Sequence, residues 1–375
     1  MLLAQVNTQL ADISNNLIYS AMTVYTLAMF AQMFEWTFGA KGGVAVRSRQ
    51  QATLAEAVSD SADAAKGVRK VSVTVASQSG GTTTLTRTAL ADAGATTVTS
   101  GRGDDDGAPA DGPGPAGTSE KADMAGRIAV SLTVLGLLLH AGSVITRGLS
   151  VMRWPWGNMY EFSVAFALMM VGSYVVLLAT KKNVRWLGLP VVIAVLLILG
   201  VAVSMLYTDS EQLVPALHSY WLGIHVSTAT ICGGAFFAAF VATGTYLIKD
   251  RYEHRIAAGL TVRASNLMDR LPASSTLDKL SYRINALVFP LWTFTIIAGA
   301  IWAEAAWGKY WEWDPKETWS FITWVAYAAY LHARATAGWR GRKAAYLALL
   351  AFACWLFNFY GVNIFITGKH SYAGV

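Results

Sequence analysis

Long apolar runs alternate with short polar interruptions along the chain. Runs able to cross a bilayer, which takes about 20 helical residues, fall at 17–39, 127–147, 161–180, 186–206, 221–248, 286–305, 318–336 and 344–366. The pattern predicts an all-α polytopic membrane protein with about eight transmembrane helices. One stretch breaks the rhythm. Residues 41–124 are rich in Ala, Gly, Ser, Thr and Asp, with Gly101-Arg-Gly-Asp-Asp-Asp-Gly107 and Asp111-Gly-Pro-Gly-Pro115 among them. Such a composition cannot bury a core, so a long polar disordered loop is expected, with a short strand around Val71–Val75 at most. Three parts follow: a first transmembrane helix in 1–40, the low-complexity loop 41–124, and the remaining helices in 125–375.

Composition agrees with a membrane protein, since 54% of residues are hydrophobic and only 14% charged, against roughly one-quarter charged in a soluble domain. Residues 1–15 contain no Lys or Arg, so the first apolar run lacks the basic segment of a cleaved signal peptide and is expected to remain as a helix. Alternate loops differ sharply in charge. One side collects nineteen Lys and Arg and the other five, with five more deep in the long loop. Basic loops face the cytoplasm, which puts 41–124 inside and both termini, 208–219 and 307–319 outside. The net charge of +6 belongs to these loops and implies no nucleic-acid partner. Cys232 and Cys354 lie in apolar runs without CxxC spacing, which argues against a redox pair or a cysteine metal site.

The densest chemistry is Trp307-Gly-Lys-Tyr-Trp-Glu-Trp-Asp-Pro-Lys-Glu-Thr-Trp319, thirteen residues with four Trp and one Tyr. Asp314 before Pro315, with Glu317 three positions on, reads as N-cap, N1 and the far half of a capping box. A helix therefore starts here. Trp307, Trp311 and Trp313 precede it on a turn or short interfacial segment, where Trp307 and Trp311 would share a face if helical; Trp319 follows. Indoles stack on flat rings and keep an N–H for a polar partner, so the stretch is either a platform for a flat hydrophobic cofactor or an aromatic belt at a membrane surface.

Six histidines sort by depth. His218 and His225 flank the outer end of the fifth run, and His370 lies in the outer tail. His140 and His332 fall within runs, where ionisable groups are costly and usually functional. His254 sits in a basic inner loop and reads as solvated. Imidazole is a common haem and metal ligand. His225 and His370 share the outer side with the Trp stretch, so one imidazole could approach each side of a ring held there. His140 and His332 form a weaker buried pair, differing in depth by ~10 Å at ~1.5 Å per residue.

These residues resemble the tryptophan-rich WWD family of haem-handling proteins, in particular the CcsA/ResC type of cytochrome c biogenesis protein, called CcsB in some bacteria. Beyond the signature, the likeness runs through Tyr330-Leu-His-Ala-Arg334, Gly338-Trp-Arg-Gly341, Gly361-Val-Asn363, His370-Ser-Tyr-Ala373, Asn158-Met-Tyr-Glu161 and Val214-Pro-Ala-Leu-His-Ser-Tyr-Trp221 with His225. The long loop departs from the family, as does Lys369, where an apolar residue commonly precedes the His.

The resemblance implies system II cytochrome c biogenesis. Haem b, as bound substrate, would be held on the signature residues Trp307, Trp311, Trp313, Trp319 and Asp314 by external ligands matching His225 and His370. An intramembrane ligand matches His332, with His140 as its candidate partner in this chain and an associated subunit as the other source. The expected partners are a ResB-type membrane protein and apocytochrome c, whose CxxCH site receives the haem at the outer face. Such a chain would be a component of a holocytochrome c synthase, or haem lyase, with no catalytic side chain of its own. Lys309, Lys316, Arg147 and Arg153 are the outward cations available to the haem propionates. Two other classes stay open on the residues alone: a b-type electron-transfer or quinone-linked subunit, and a transporter gated by the Trp loop. The first normally repeats paired His on two helices, and the second shows Gly- or Pro-interrupted helices in matching halves.

Overall fold

The computed structural model of the protein describes residues 6–38, 71–76, 82–87, 120–180, 184–212, 219–258, 260, 268, 271–336 and 338–370. Its larger unit holds residues 1–42 and 112–375, and residues 43–111 form a second. The described part of the second unit is an antiparallel hairpin of β1 (Val71–Ala76) and β2 (Thr82–Arg87), paired from Val71 with Arg87 to Ala76 with Thr82. The expected strand therefore has a partner, in a run of β-branched residues suited to pairing. The remainder of the expected disordered loop up to residue 119 lies outside the described residues.

The elements described in the larger unit are helical: α1 (Thr8–Phe38), α2 (Glu120–Ser150), α3 (Met159–Ala179), a 3-10 turn (Arg185–Leu187) leading into α4 (Gly188–Met205), α5 (Tyr220–Ala257), α6 (Ser274–Trp307), α7 (Pro315–Ala335), α8 (Arg342–Leu356), a π-helical turn (Phe357–Gly361) and α9 (Val362–Phe365). Among the described residues, seven helical segments are long and apolar enough to cross a membrane. The eighth expected span, α7, is a continuous 21-residue helix but falls outside that set. Lys316, Glu317, His332 and Arg334, together with Trp319, Trp324, Tyr327 and Tyr330, make it too polar. Two helices also outrun their apolar stretches. α5 has 38 residues, roughly 57 Å at 1.5 Å each, and α6 has 34, so both extend well beyond the ~30 Å hydrocarbon layer.

α3 and α5 form the centre of the bundle, each with 56% of its apolar window buried against 28% for α1 and α2. They pack on each other, with α2 and α4 against α3, α1 against α2 and α4, and α6 and α8 against α5; α7 lies on α6 and α8. Close approach depends on missing side chains. A Cβ on Gly234 of α5 would stand 2.4 Å from the backbone oxygen of Met169 in α3, so only glycine allows this contact.

Ion pairs fasten both ends. At one end Arg185 reaches Glu35 at 2.6 Å and Asp123 at 2.7 Å, Arg334 reaches Asp278 at 2.6 Å, and Arg342 reaches Asp250 at 2.6 Å. At the other, Arg147 and Arg153 converge on buried Glu161 at 3.1 and 2.8 Å, and Asn7 N donates to Ser150 O. The same end gathers the start of α3, the Trp stretch and the chain's tail, joined through Asn363 to Met159 and His370 to Asp314.

Candidate functional site

Three segments distant in sequence build a histidine and tryptophan site at that end. The first is the opening of α5, capped by Ser219 Oγ accepting from Trp221 N at 3.3 Å. His225 lies in its second turn, and its Nδ1 donates to Thr295 O of α6 at 2.9 Å. A carbonyl only accepts, so Nδ1 carries the proton and Nε2 keeps its lone pair. The ring crosses α6 directly over Gly299. A Cβ there would lie 2.6 Å from His225 Cε1 and 2.7 Å from Nδ1. Gly299→Ala should therefore break the Thr295 bond and turn the imidazole away. The expected cost is about 1–3 kcal/mol in unfolding free energy, read by denaturation; unchanged stability would show that the ring does not depend on Gly299.

The second segment is the Trp stretch itself. α6 stops at Trp307 because Gly308 turns left-handed, at φ 74°, with its N–H on Glu304 O at 2.8 Å. Trp307 and Trp311 are thus separated by a turn and share no helical face. Trp313 also has positive φ, 61°, a conformation that a bulky residue rarely holds unless its surroundings impose it. Its carbonyl accepts from Thr318 Oγ1 at 3.1 Å. The capping box forms as its residues predict: Asp314 Oδ2 accepts from Lys316 N at 3.2 Å, and Glu317 Oε2 from the backbone N of Asp314 at 3.1 Å and of Glu312 at 2.9 Å.

The third segment is the tail after α9. Asp314 Oδ1 accepts from Lys369 N at 2.8 Å, and Oδ2 lies 2.9 Å from His370 Nδ1. The carboxylate holds the His370 tautomer, as carboxylates do behind metal-ligating imidazoles. Burial lowers the affinity of His370 for a second proton, only partly opposed by Asp314, so the ring is neutral at pH 7. Burial works to raise the Asp314 carboxyl, but the His370 bond and the Lys369 N–H outweigh it and the group stays ionised. Trp302, 1% exposed, joins the two histidines: His225 stacks on it at 6.0 Å and 19°, and His370 meets it edge-on at 5.7 Å. Trp307 packs on both Trp302 and His370, at 4.9 and 5.1 Å. A cavity of about 30 Å³ lies among these groups, lined by His225, His370, Trp302, Trp311 and Lys316.

The matched family of known proteins decides the class. Its sequence model, described as "Cytochrome C assembly protein", matches residues 156–370, more than half of the chain, and ends on His370. The chain belongs to the cytochrome c assembly protein family. Relatives of this assembly protein named "Cytochrome c biogenesis protein CcsA" include one from Microcystis aeruginosa, 35% identical over 285 residues, or 65% of this chain and 85% of the relative. One from Gloeobacter violaceus is 34% identical over 285 residues, covering 64% and 84%. Another, from Guillardia theta, is 36% identical over 252 residues, covering 64% and 83%. It is a multi-pass membrane protein of cytochrome c biogenesis.

The other expected site residues are dispersed in this assembly protein. Trp313 faces outward, 63% exposed, and Trp319 packs on Phe357 at 4.3 Å. His140 is fully buried, its Nε2 3.0 Å from Val164 O and its Nδ1 3.4 Å from Tyr25 Oη. His332 is exposed on α7, with Nδ1 3.1 Å from Thr336 Oγ1. The structure gives the two no shared contact. His254 is solvent-exposed in the last turn of α5, its Nδ1 on Asp250 O at 2.8 Å, and His218 lies outside the described residues. Of the four outward cations, Arg147 and Arg153 are turned inward onto Glu161, and Lys309 pairs with Glu312 at 2.6 Å. Lys316 reaches the cavity. Sequence reading missed Thr295, Gly299 and Trp302, which look like ordinary members of an apolar run. Their signal is spacing alone: four and then three residues apart, they fall on one helical face.

Proposed function

We propose that this assembly protein binds haem b as substrate between His225 and His370. It would present the vinyl edge at the outer membrane face to the CxxCH thiols of apocytochrome c, working with a ResB-type partner as a component of the haem lyase. The observation that carries this reading is the convergence of two imidazoles, one from α5 and one from the tail, on a single indole-walled cavity. Each has its Nδ1 committed to a protein acceptor. The donor set suits iron, since neutral imidazoles oriented by a carbonyl and a carboxylate are good axial ligands.

At about 30 Å³ the cavity holds roughly one water, so binding requires the Trp loop to swing outward, with Gly308 as its turning point. Haem supplies the iron and the vinyl groups. The chain's residues restrict access to the metal and fix the ring, so that attack by thiols becomes a matter of orientation. No cysteine nucleophile is needed here. The excess of Lys and Arg on the opposite loops supports an outward-facing site in the plasma membrane. His332, exposed on α7, is open to a ligand arriving from another subunit, and we assign it to an intramembrane haem station completed by the partner. His140 is already occupied by Val164 and Tyr25 and fits that station less well.

The test is direct. The purified protein, with and without its partner, is examined for a haem spectrum and then offered a CxxCH peptide. Transfer of haem to the peptide is expected. Haem that stays on the protein and only cycles between oxidation states would replace this reading with that of a b-type electron carrier.

A further inference from the structure

We propose that Lys316 recognises a carboxylate of the substrate, so that the propionate edge of the ring points toward the start of α7 and the end of the last span. This rests on the haem reading and adds to it the determinant of ring orientation. Lys316 sits in the first turn of α7 and lines the cavity shared by His225 and His370. Its ammonium donates to Asn358 O at 2.6 Å and to Asn363 Oδ1 at 3.1 Å. Both acceptors belong to the end of the last span. Asn358 lies in the π-helical turn, a local widening that disturbs the regular backbone pairing and recurs at functional sites. Asn363 is held in register because its own Nδ2 donates to Phe359 O at 2.8 Å.

Both fixed acceptors are neutral. Among the described residues no carboxylate lies within ion-pair distance of Lys316, whereas Lys309 and Lys369 both pair with Glu312, and Arg147 and Arg153 with Glu161. The nearby carboxylates are committed elsewhere, Glu317 to backbone N–H groups and Asp314 to His370 and Lys369. An ammonium carries three N–H donors, so one remains for a ligand. A second donor faces the same need: Trp311, in the same cavity wall, has a buried indole N–H with no acceptor. The carboxylate that also lines the cavity, Glu317, is held by backbone N–H groups, and burial lowers the Lys316 pKa to about 7, so the lysine and the neutral donor together call for an acceptor-rich, negatively charged group that also favours the protonated lysine. On haem that group is a propionate.

The experiment titrates the full-length protein in detergent with ferric haem and with haem dimethyl ester, and compares the two affinities by absorption. Both ligands keep the iron, so histidine ligation is common to them. The wild type should prefer the free acid by roughly tenfold to a hundredfold. Lys316→Met should bring the ratio close to one, and Lys316→Arg should keep part of it. Because the ratio is taken within one preparation, a partly misfolded variant does not distort it. A wild-type ratio near one overturns the assignment without any variant, as does a ratio that survives Lys316→Met. If the wild type binds neither ligand, the haem reading itself falls, and this inference with it.

Discussion

Replacing either His225 or His370 with alanine should abolish cytochrome c maturation while leaving the protein in the membrane at its normal level. Neither ring lies in the packed centre of the bundle. His225 bonds only Thr295 O within the described contacts, and the tail is tied to the rest largely through Asp314. Loss of one ring leaves the packing of α3 against α5 in place, so insertion survives, whereas an iron held on one side alone remains open to water and other ligands. The measurement is the amount of covalently haem-bearing cytochrome c in cells against the amount of membrane-inserted variant. Normal maturation in both variants would end the ligand assignment.

Asp314→Asn should weaken haem binding by about tenfold to a hundredfold, the usual loss when the group behind a metal-ligating imidazole is changed. It should do so with almost no effect on α7. Asparagine is as good an N-cap as aspartate, so the acceptor for Lys316 N survives. What disappears is the charge facing His370 Nδ1. The pH profile separates the two roles. The His370 pKa is lowered in the folded protein, so the unfolded chain takes up the proton more readily. The arrangement is fully stable above the ordinary imidazole pKa and loses stability as pH falls below it. In that acid range His370 gains a proton on Nε2, and its ligand lone pair is lost. Removing the carboxylate makes protonation harder still, so in the haem-free protein the acid titration of His370 should shift to lower pH in Asp314→Asn. A shift to higher pH would show that Asp314 is not the partner that sets His370.

Local grammar was readable in advance, and contacts between distant segments were not. Asp314, Pro315 and Glu317 signal the start of α7 because all three act within one turn. Apolar runs locate the helices because burial in lipid needs length. Helix ends were less legible: α5 and α6 continue past their apolar runs, since a helix persists among charged residues that pair along its surface. Gly308 divides Trp307 from Trp311, a break that four-residue spacing cannot reveal. Arg147 and Arg153 look like outward cations until Glu161, close in sequence but on another helix, draws them in. The bond between His370 and Asp314 spans 56 residues, and nothing local in either predicts it. Gly299 is the extreme case, since its contribution is an absence of atoms beside a ring from another helix.

The site is assembled from α5, the turn after α6 and a tail residue, which leave the ribosome in that order. A nascent chain halted just beyond α9 would already own every segment needed to lodge in the membrane, yet it would lack the last imidazole and the cover over the indoles. On the haem reading proposed above, competence to hold the iron ring is thereby reserved for chains whose synthesis has passed His370.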